Sequence, residues 1–239
     1  MRKLIVSVNS VAVMREDRKE KAPDPVMAAA GAELAGVDGI AIHLRLDKRH
    51  IRERDLYILR ETVKTKLDLY IAPVAEMAER ALEVKPAEVT LVAERSGELT
   101  TERGLDLHEM SGEIAHISEQ LKAAGCNVFA VVEPEPDSAK HAAKIGLDGI
   151  ELYAHHYSDA QESSSVKKEL ERAVKTYDAA RKNDLIVRIG GGLNYANIVP
   201  LLNDTGIQEY VVGHAIAARA ITTGFEKATR DMVEIVKYF

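Results

Sequence analysis

Short aliphatic and β-branched runs alternate along this chain with longer segments whose apolar residues recur at helical spacing, the pattern of repeated strand–helix units around a parallel sheet. The short runs predict strands at Leu4–Asn9, Gly39–Arg45, Leu67–Pro73, Glu88–Glu94, Asn127–Glu133, Gly149–Ala154, Leu185–Ile189 and Glu209–Val212. The segments between them predict helices at Pro25–Ala35, Glu53–Lys66, Val74–Val84, Leu107–Ala124, Ser138–Ile145, Ser165–Lys182, Ala196–Asn203 and Phe225–Tyr238. Gly36, Gly125, Gly146 and Gly206 fall where helices should stop. Strands and helices in this strict order predict an α/β chain closed into a single (β/α)8 TIM barrel spanning residues 1–239.

An internal echo sits within the pattern. Ala35-Gly36-Val37-Asp38-Gly39-Ile40 precedes the second strand, and Ile145-Gly146-Leu147-Asp148-Gly149-Ile150 precedes the sixth. Two explanations fit: a half-barrel duplication, or a recurring helix-to-strand turn in which Gly ends the helix and Asp caps the loop.

Composition narrows the partners. With 239 residues, 46% hydrophobic, the chain can build one sizeable core. A formal charge of −6 with mixed signs argues against nucleic-acid binding and leaves room for a local basic pocket for a small anion. The single cysteine, Cys126, excludes an intrachain disulfide and a multi-cysteine metal site, and is expected to be a buried, inert thiol. Met1-Arg2-Lys3 leads directly into a strand with no cleavage signal, and no apolar run reaches membrane-spanning length, so a cytoplasmic protein without membrane contact is expected.

In a barrel of this kind chemistry gathers at the C-terminal ends of the strands, and phosphate is gripped by the loops after the last two. Gly190-Gly191-Gly192-Leu193-Asn194-Tyr195 and Gly213-His214-Ala215-Ile216 occupy those two loops, where bare backbone N–H groups can hold an anion. On the second strand, alternation puts Ala41, His43 and Arg45 on one face. His43 suits a general acid/base role, since an imidazole ordinarily titrates near neutrality. Arg45 and His50 suit a second phosphate, as a guanidinium and a protonated imidazole that both donate to its oxygens. Asn9, Glu94 and Glu133 end other strands, while Glu151 lies inside the sixth, where a buried carboxylate needs a donor or a cation. His155-His156 point opposite ways on an extended segment and complete no ligand set, so no metal site is expected. His108, His116 and His141 fall on helices as surface residues, and the charge-rich helix at 167–182 reads as a solvated face.

Taken together the motifs resemble the deoxyxylulose-dependent pyridoxine 5′-phosphate synthases of vitamin B6 biosynthesis over nearly the whole chain. The marks are Val8-Asn9, Pro23-Asp24-Pro25-Val26, Asp38-Gly39-Ile40 running into His43-Leu44-Arg45, and Asp47 with Arg49-His50-Ile51. They continue with Leu99-Thr100-Thr101-Glu102 before Gly104-Leu105-Asp106, then Gly192-Leu193-Asn194-Tyr195 and Gly213-His214-Ala215-Ile216. The resemblance implies the same barrel, an octameric assembly, no organic cofactor or metal, and two phosphorylated small-molecule substrates. These are 3-amino-2-oxopropyl phosphate and 1-deoxy-D-xylulose 5-phosphate, condensed to pyridoxine 5′-phosphate with release of phosphate and water. It places Asn9, Arg18, Gly192, Gly213 and His214 on the amino-oxopropyl phosphate, and Arg45, His50 and Thr101 on the sugar phosphate. It makes His43 an acid/base and Glu151 a transition-state stabiliser.

The chain also departs from that pattern. Val11-Ala12 stand where the family carries an Asp-His pair, and the loop after them is shorter. Tyr70 replaces a catalytic glutamate on the third strand, Gly191 replaces a catalytic histidine, and Tyr153-Ala154-His155 replace a His-Thr-Gly stretch. A positioned acid or base contributes roughly 10²–10⁴-fold in rate, so these losses carry weight. Three readings follow: the family reaction with relocated acid/base groups drawn from residues such as His155, His156 or Glu133; altered chemistry on another phosphorylated ketone or sugar; and a catalytically silent barrel that binds a phosphorylated metabolite. Arg15, Arg18 and Lys21 in the segment Ser10 to Ala22 suggest a loop that closes over an anion.

Overall fold

In a computed structural model that describes residues 1–95, 97, 98 and 100–238, eight parallel strands close into a barrel in sequence order, β1 pairing with β8. The strands are β1 Lys3–Ser7, β2 Gly39–His43, β3 Lys66–Ile71, β4 Glu88–Leu91, β5 Asn127–Val132, β6 Gly149–Tyr153, β7 Ile186–Gly190 and β8 Glu209–Val212. Leu99, which opens the Thr-Thr motif, lies outside the described residues.

Eight of the helices form the outer ring: α2 Pro25–Ala35, α3 Glu53–Thr62, α4 Ala75–Val84, α5 Ser111–Ala123, α6 Pro136–Lys144, α8 Ser163–Arg181, α9 Ile198–Asp204 and α11 Phe225–Tyr238. Their apolar faces and the outward faces of the strands share one core, which includes Leu4, Ile40, Leu69, Ile150, Leu121 and Met232. Cys126 is buried in that core, where burial pushes its thiol pKa up.

Three further helices, α1 Asn9–Arg18, α7 His155–Asp159 and α10 His214–Thr223, follow β1, β6 and β8 and wall the C-terminal mouth. The first corrects the expectation of a closing loop. Arg15 is buried on α1 and makes a bidentate pair with Asp55 (2.9 and 2.7 Å) while its Nη2 donates to His50 O (2.8 Å). That guanidinium bolts α1 to the first turn of α3, so it is not free to fold over a ligand; Arg18 and Lys21 are exposed.

The echoing turns have matching structures. Asp38 accepts a hydrogen bond from Leu4 N (2.9 Å), and Asp148 accepts one from Val128 N (2.8 Å), so each aspartate ties its own strand to the preceding one. Lys237 from α11 donates to Gly36 O (2.9 Å) and pairs with Asp38 (2.9 Å); Lys122 from α5 donates to Gly146 O (2.9 Å) and pairs with Asp148 (2.8 Å).

Inside the barrel, Ile5, Ala41, Tyr70, Val92, Val131, Tyr153 and Val211 form a separate cluster under the mouth. Below that cluster the interior is charged. Arg188 of β7 pairs with Asp68 (2.9 Å) and Glu88 (3.1 Å), donates to Thr90 Oγ1 (2.7 Å), and lies 3.7 Å over the Phe129 ring. Arg188, Asp68 and Glu88 are all buried, and Glu88 is held from outside by Lys66 (2.6 Å) as well.

Candidate active site

The strand ends and the three mouth helices enclose a cavity of about 730 Å³, within the usual range of small-molecule sites. Asn9, His43, Arg45, His50, Thr101, Glu151, Gly192, Gly213 and His214 all line it. Arg18 does not: it stands exposed at the last turn of α1, outside the lining.

Each side chain is placed by a local device. Asn9, directly after β1, is held by accepting from His43 N through its Oδ1 (2.9 Å). His43 ends β2 beside Tyr70 in the β2–β3 register. Its Nε2 stands 3.6 Å from Glu94 Oε2, just beyond hydrogen-bond length, and neither atom has another partner among the described residues. Burial lowers the His43 pKa, partly offset by the Glu94 carboxylate, so the ring is neutral at pH 7 and can accept a proton.

Arg45 is buried among carboxylates, with Asp47 and Glu98 each at 3.1 Å and Glu94 at 3.5 Å. A phosphate reaching this guanidinium has to share it with them. The structure corrects the expected state of His50. Ile51 N–H donates to His50 Nδ1 (2.8 Å), which leaves the proton of the neutral ring on Nε2, and burial, followed by the nearby His43 and Arg45, pushes its pKa down to about 3. His50 therefore offers one N–H as a neutral donor, not a cation.

The glycine loops form the opposite part of the lining. Gly192 has φ 74°, and a Cβ there would stand 2.1 Å from Ser158 Oγ, so only glycine brings its backbone this close to α7. Gly213 caps α10, placing that helix's free N–H groups and positive end at the cavity with His214 in the first turn.

On the cavity floor Tyr70 donates a very short hydrogen bond from its hydroxyl to Glu151 Oε2, and Arg188 Nε lies 3.5 Å from the same oxygen. Burial raises the Glu151 pKa above the usual carboxylate range, against the pull of Arg188 and Tyr70. Burial, then the neighbouring Glu151 charge, raises Tyr70 well above an ordinary phenol.

At position 191 a Cβ would stand 3.3 Å from Tyr153 Cδ2, and Tyr153 is fixed by donating to Thr101 O (2.6 Å). The tyrosine thus covers the space beside Gly191. His155 lines the cavity with Nε2 3.2 Å from Asp159, while His156 is loosely paired with Glu133 (3.8 Å) outside the lining. His108 and His141 stack at 3.9 Å on the surface, and no cluster of three or more His, Cys, Asp or Glu suited to a metal occurs among the described residues.

The residues missed in sequence are Arg188, Asp68 and Glu88. Each was signalled by a charge at an inward position of an otherwise apolar strand.

No helix among the described residues is long and apolar enough to cross a membrane. Solved structures with a similar fold include KGPDC from Streptococcus mutans, at TM-score 0.65 and 12% identity over 99% of this chain and 98% of that one. A phosphoribosyl anthranilate isomerase aligns at TM-score 0.60 and 13% identity over the full length of both. At such identities they establish the barrel alone.

Sequence relatives say more. The pyridoxine 5′-phosphate synthases of Geobacter metallireducens and Pelobacter propionicus are 48% and 47% identical over 238 residues, covering 100% of both chains in each case. That of Syntrophobacter fumaroxidans is 41% identical over 236 residues, 99% of each chain. The family described as pyridoxal phosphate biosynthesis protein PdxJ matches residues 4–238. With its barrel closed and its strand-end residues gathered at one mouth, this chain belongs to the PdxJ family.

Proposed function

We propose that this chain acts as a pyridoxine 5′-phosphate synthase, condensing 3-amino-2-oxopropyl phosphate with 1-deoxy-D-xylulose 5-phosphate to pyridoxine 5′-phosphate, phosphate and water. The observation that carries the reading is one cavity lined both by Gly192, Gly213 and His214 and by Arg45, His50 and Thr101, together with His43 and Glu151 as titratable groups. Gly192, Gly213 and His214, with Asn9, would take the amino-oxopropyl phosphate through backbone N–H groups and the α10 terminus. Arg45, His50 and Thr101 would take the sugar phosphate. Condensing an amine with a ketone and closing a ring requires protons drawn from carbon and delivered to oxygen, and holding both reactants in one cavity removes much of the entropic barrier. Neutral His43 accepts the proton and Glu94 stabilises the imidazolium that forms; Glu151, on the cavity floor, acts as the transition-state stabiliser.

No organic cofactor or metal is assigned to the reaction, and its place is the cytoplasm. A homo-oligomer is proposed, with Met14, Met27 and Ile221, exposed around an apolar groove of about 340 Å³, in the contact.

A second reading keeps the grips and changes the chemistry to simpler proton transfer on another phosphorylated ketone or sugar. It is favoured by Tyr70 and Gly191, which stand where the family resemblance implies a carboxylate and an imidazole. Purified protein mixed with both substrates is expected to form pyridoxine 5′-phosphate. Absence of product, with proton exchange or phosphate release from either substrate alone, would transfer the case to the second reading. Binding with no turnover of any kind, and failure to rescue a vitamin B6 auxotroph, would leave a silent phosphate-binding barrel.

A further inference from the structure

We infer that Tyr70 and Glu151 form a two-step proton relay on the cavity floor, with the phenol delivering a proton to a substrate oxygen and the carboxyl replenishing it. The inference rests on the condensation reading and adds a donor to it.

Three observations carry it. Tyr70 and Glu151 come from strands three places apart around the barrel, yet the hydroxyl of one reaches the carboxylate of the other, and both line the cavity. A buried Glu151 satisfied solely for packing could have been any apolar residue, since a paired buried charge seldom adds net stability. Arg188 stands 3.5 Å from the oxygen that Tyr70 contacts, so a negative charge left on Glu151 is met by a cation that is itself locked by Asp68 and Glu88.

With Glu151 protonated, its O–H turns toward the phenolic oxygen and frees the Tyr70 hydroxyl to face the substrate. The Tyr70 O–H bond breaks as the proton passes to a carbonyl or hydroxyl oxygen, and the Glu151 O–H bond breaks as its proton moves to the phenolic oxygen. Tyrosine is regenerated, and the carboxylate remains beside Arg188. A later proton lost by the substrate returns over the same two oxygens. Direct donation by Tyr70 alone would leave a phenolate against a carboxylate, with Asp68 close by, so the phenol needs Glu151 behind it.

The test compares wild type, Tyr70→Phe and Glu151→Gln, each checked for native circular dichroism and melting. Product formation from both substrates is followed together with solvent deuterium exchange into each substrate alone. Expected is a fall in kcat of roughly 10²-fold or more in both variants with KM changed less than about threefold. Glu151→Gln is the decisive case, because its side-chain amide can still accept from Tyr70 and fill the same volume but cannot pass a proton. An active Glu151→Gln, or a Tyr70→Phe within tenfold of wild type, overturns the relay and leaves the condensation standing. A wild type that forms no product overturns the condensation; the relay then survives if deuterium exchange is present in wild type and lost in both variants, and falls if wild type shows no exchange.

Discussion

Replacing Gly192 by Ala tests the phosphate cradle most directly. The added methyl would meet Ser158 Oγ at 2.1 Å and Ser158 Cβ at 2.7 Å, on a backbone with φ 74°. Left-handed backbone costs a residue with a Cβ about 1–2 kcal/mol, and forcing a methyl into occupied space costs about 1–3 kcal/mol more. If only about 2 kcal/mol of this falls on the bound conformation of the loop, affinity drops roughly 30-fold. Titration calorimetry with inorganic phosphate and with 3-amino-2-oxopropyl phosphate reads the binding part, and urea unfolding reads the rest. Ser158→Gly in the same chain removes both clashing atoms without relieving the backbone, so the double variant should recover the steric share; Ser158→Gly alone supplies the helix penalty that closes the cycle. Gly192→Ala binding both ligands within twofold of wild type, with an unchanged unfolding midpoint, would refute the cradle.

Other consequences can be measured separately. Arg188→Leu leaves Asp68 and Glu151 without a cation and Glu88 with Lys66 alone (2.6 Å), and should cost about 3–5 kcal/mol in urea unfolding. The loss should be larger at pH 8 than at pH 5, since Asp68, raised to about 7 chiefly by burial, is neutral at the lower pH. Because His43 must be neutral to accept a proton and burial lowers its pKa, kcat/KM should fall with acid only below the ordinary histidine value of about 6.5. Glu94→Gln removes the charge that raises His43, so that limb should move to still lower pH. Asp55 contributes stability above its unfolded pKa of about 3.9, because the Arg15 hydrogen bond and the Arg52 N–H outweigh its burial and hold it low. Arg15→Met should therefore narrow the acid side of the stability curve and loosen α1, seen as faster amide exchange at 9–18.

The barrel was legible because strand and helix periods alternate without interruption, and the paired strand-end motifs fell on the loops that a barrel turns to one side. Predicted strand ends ran long: β4 stops at Leu91, and Glu94 reaches His43 from the loop beyond. α1 was illegible because its charged sequence has little apolar period; what holds it is Arg15 on Asp55, a contact distant in sequence. α10 was hidden behind its glycine, which served both as a phosphate motif and as a helix cap. The Arg188 layer is illegible in the sequence because no spacing rule relates residues that meet across a barrel. The protonation of His50 depends on a backbone N–H of its own neighbour, which composition does not reveal.

The aspartate–lysine contacts at Asp38 and Asp148 have a reciprocal geometry. Asp38 belongs to the N-terminal four strands and takes its lysine, Lys237, from the final helix; Asp148 belongs to the C-terminal four and takes Lys122 from the helix that ends the first half. Each half thus lends the other an ammonium group and receives one back. A fragment severed near residue 126 would carry an orphaned acid and an idle lysine, so neither piece should hold its opening turn until the other is added.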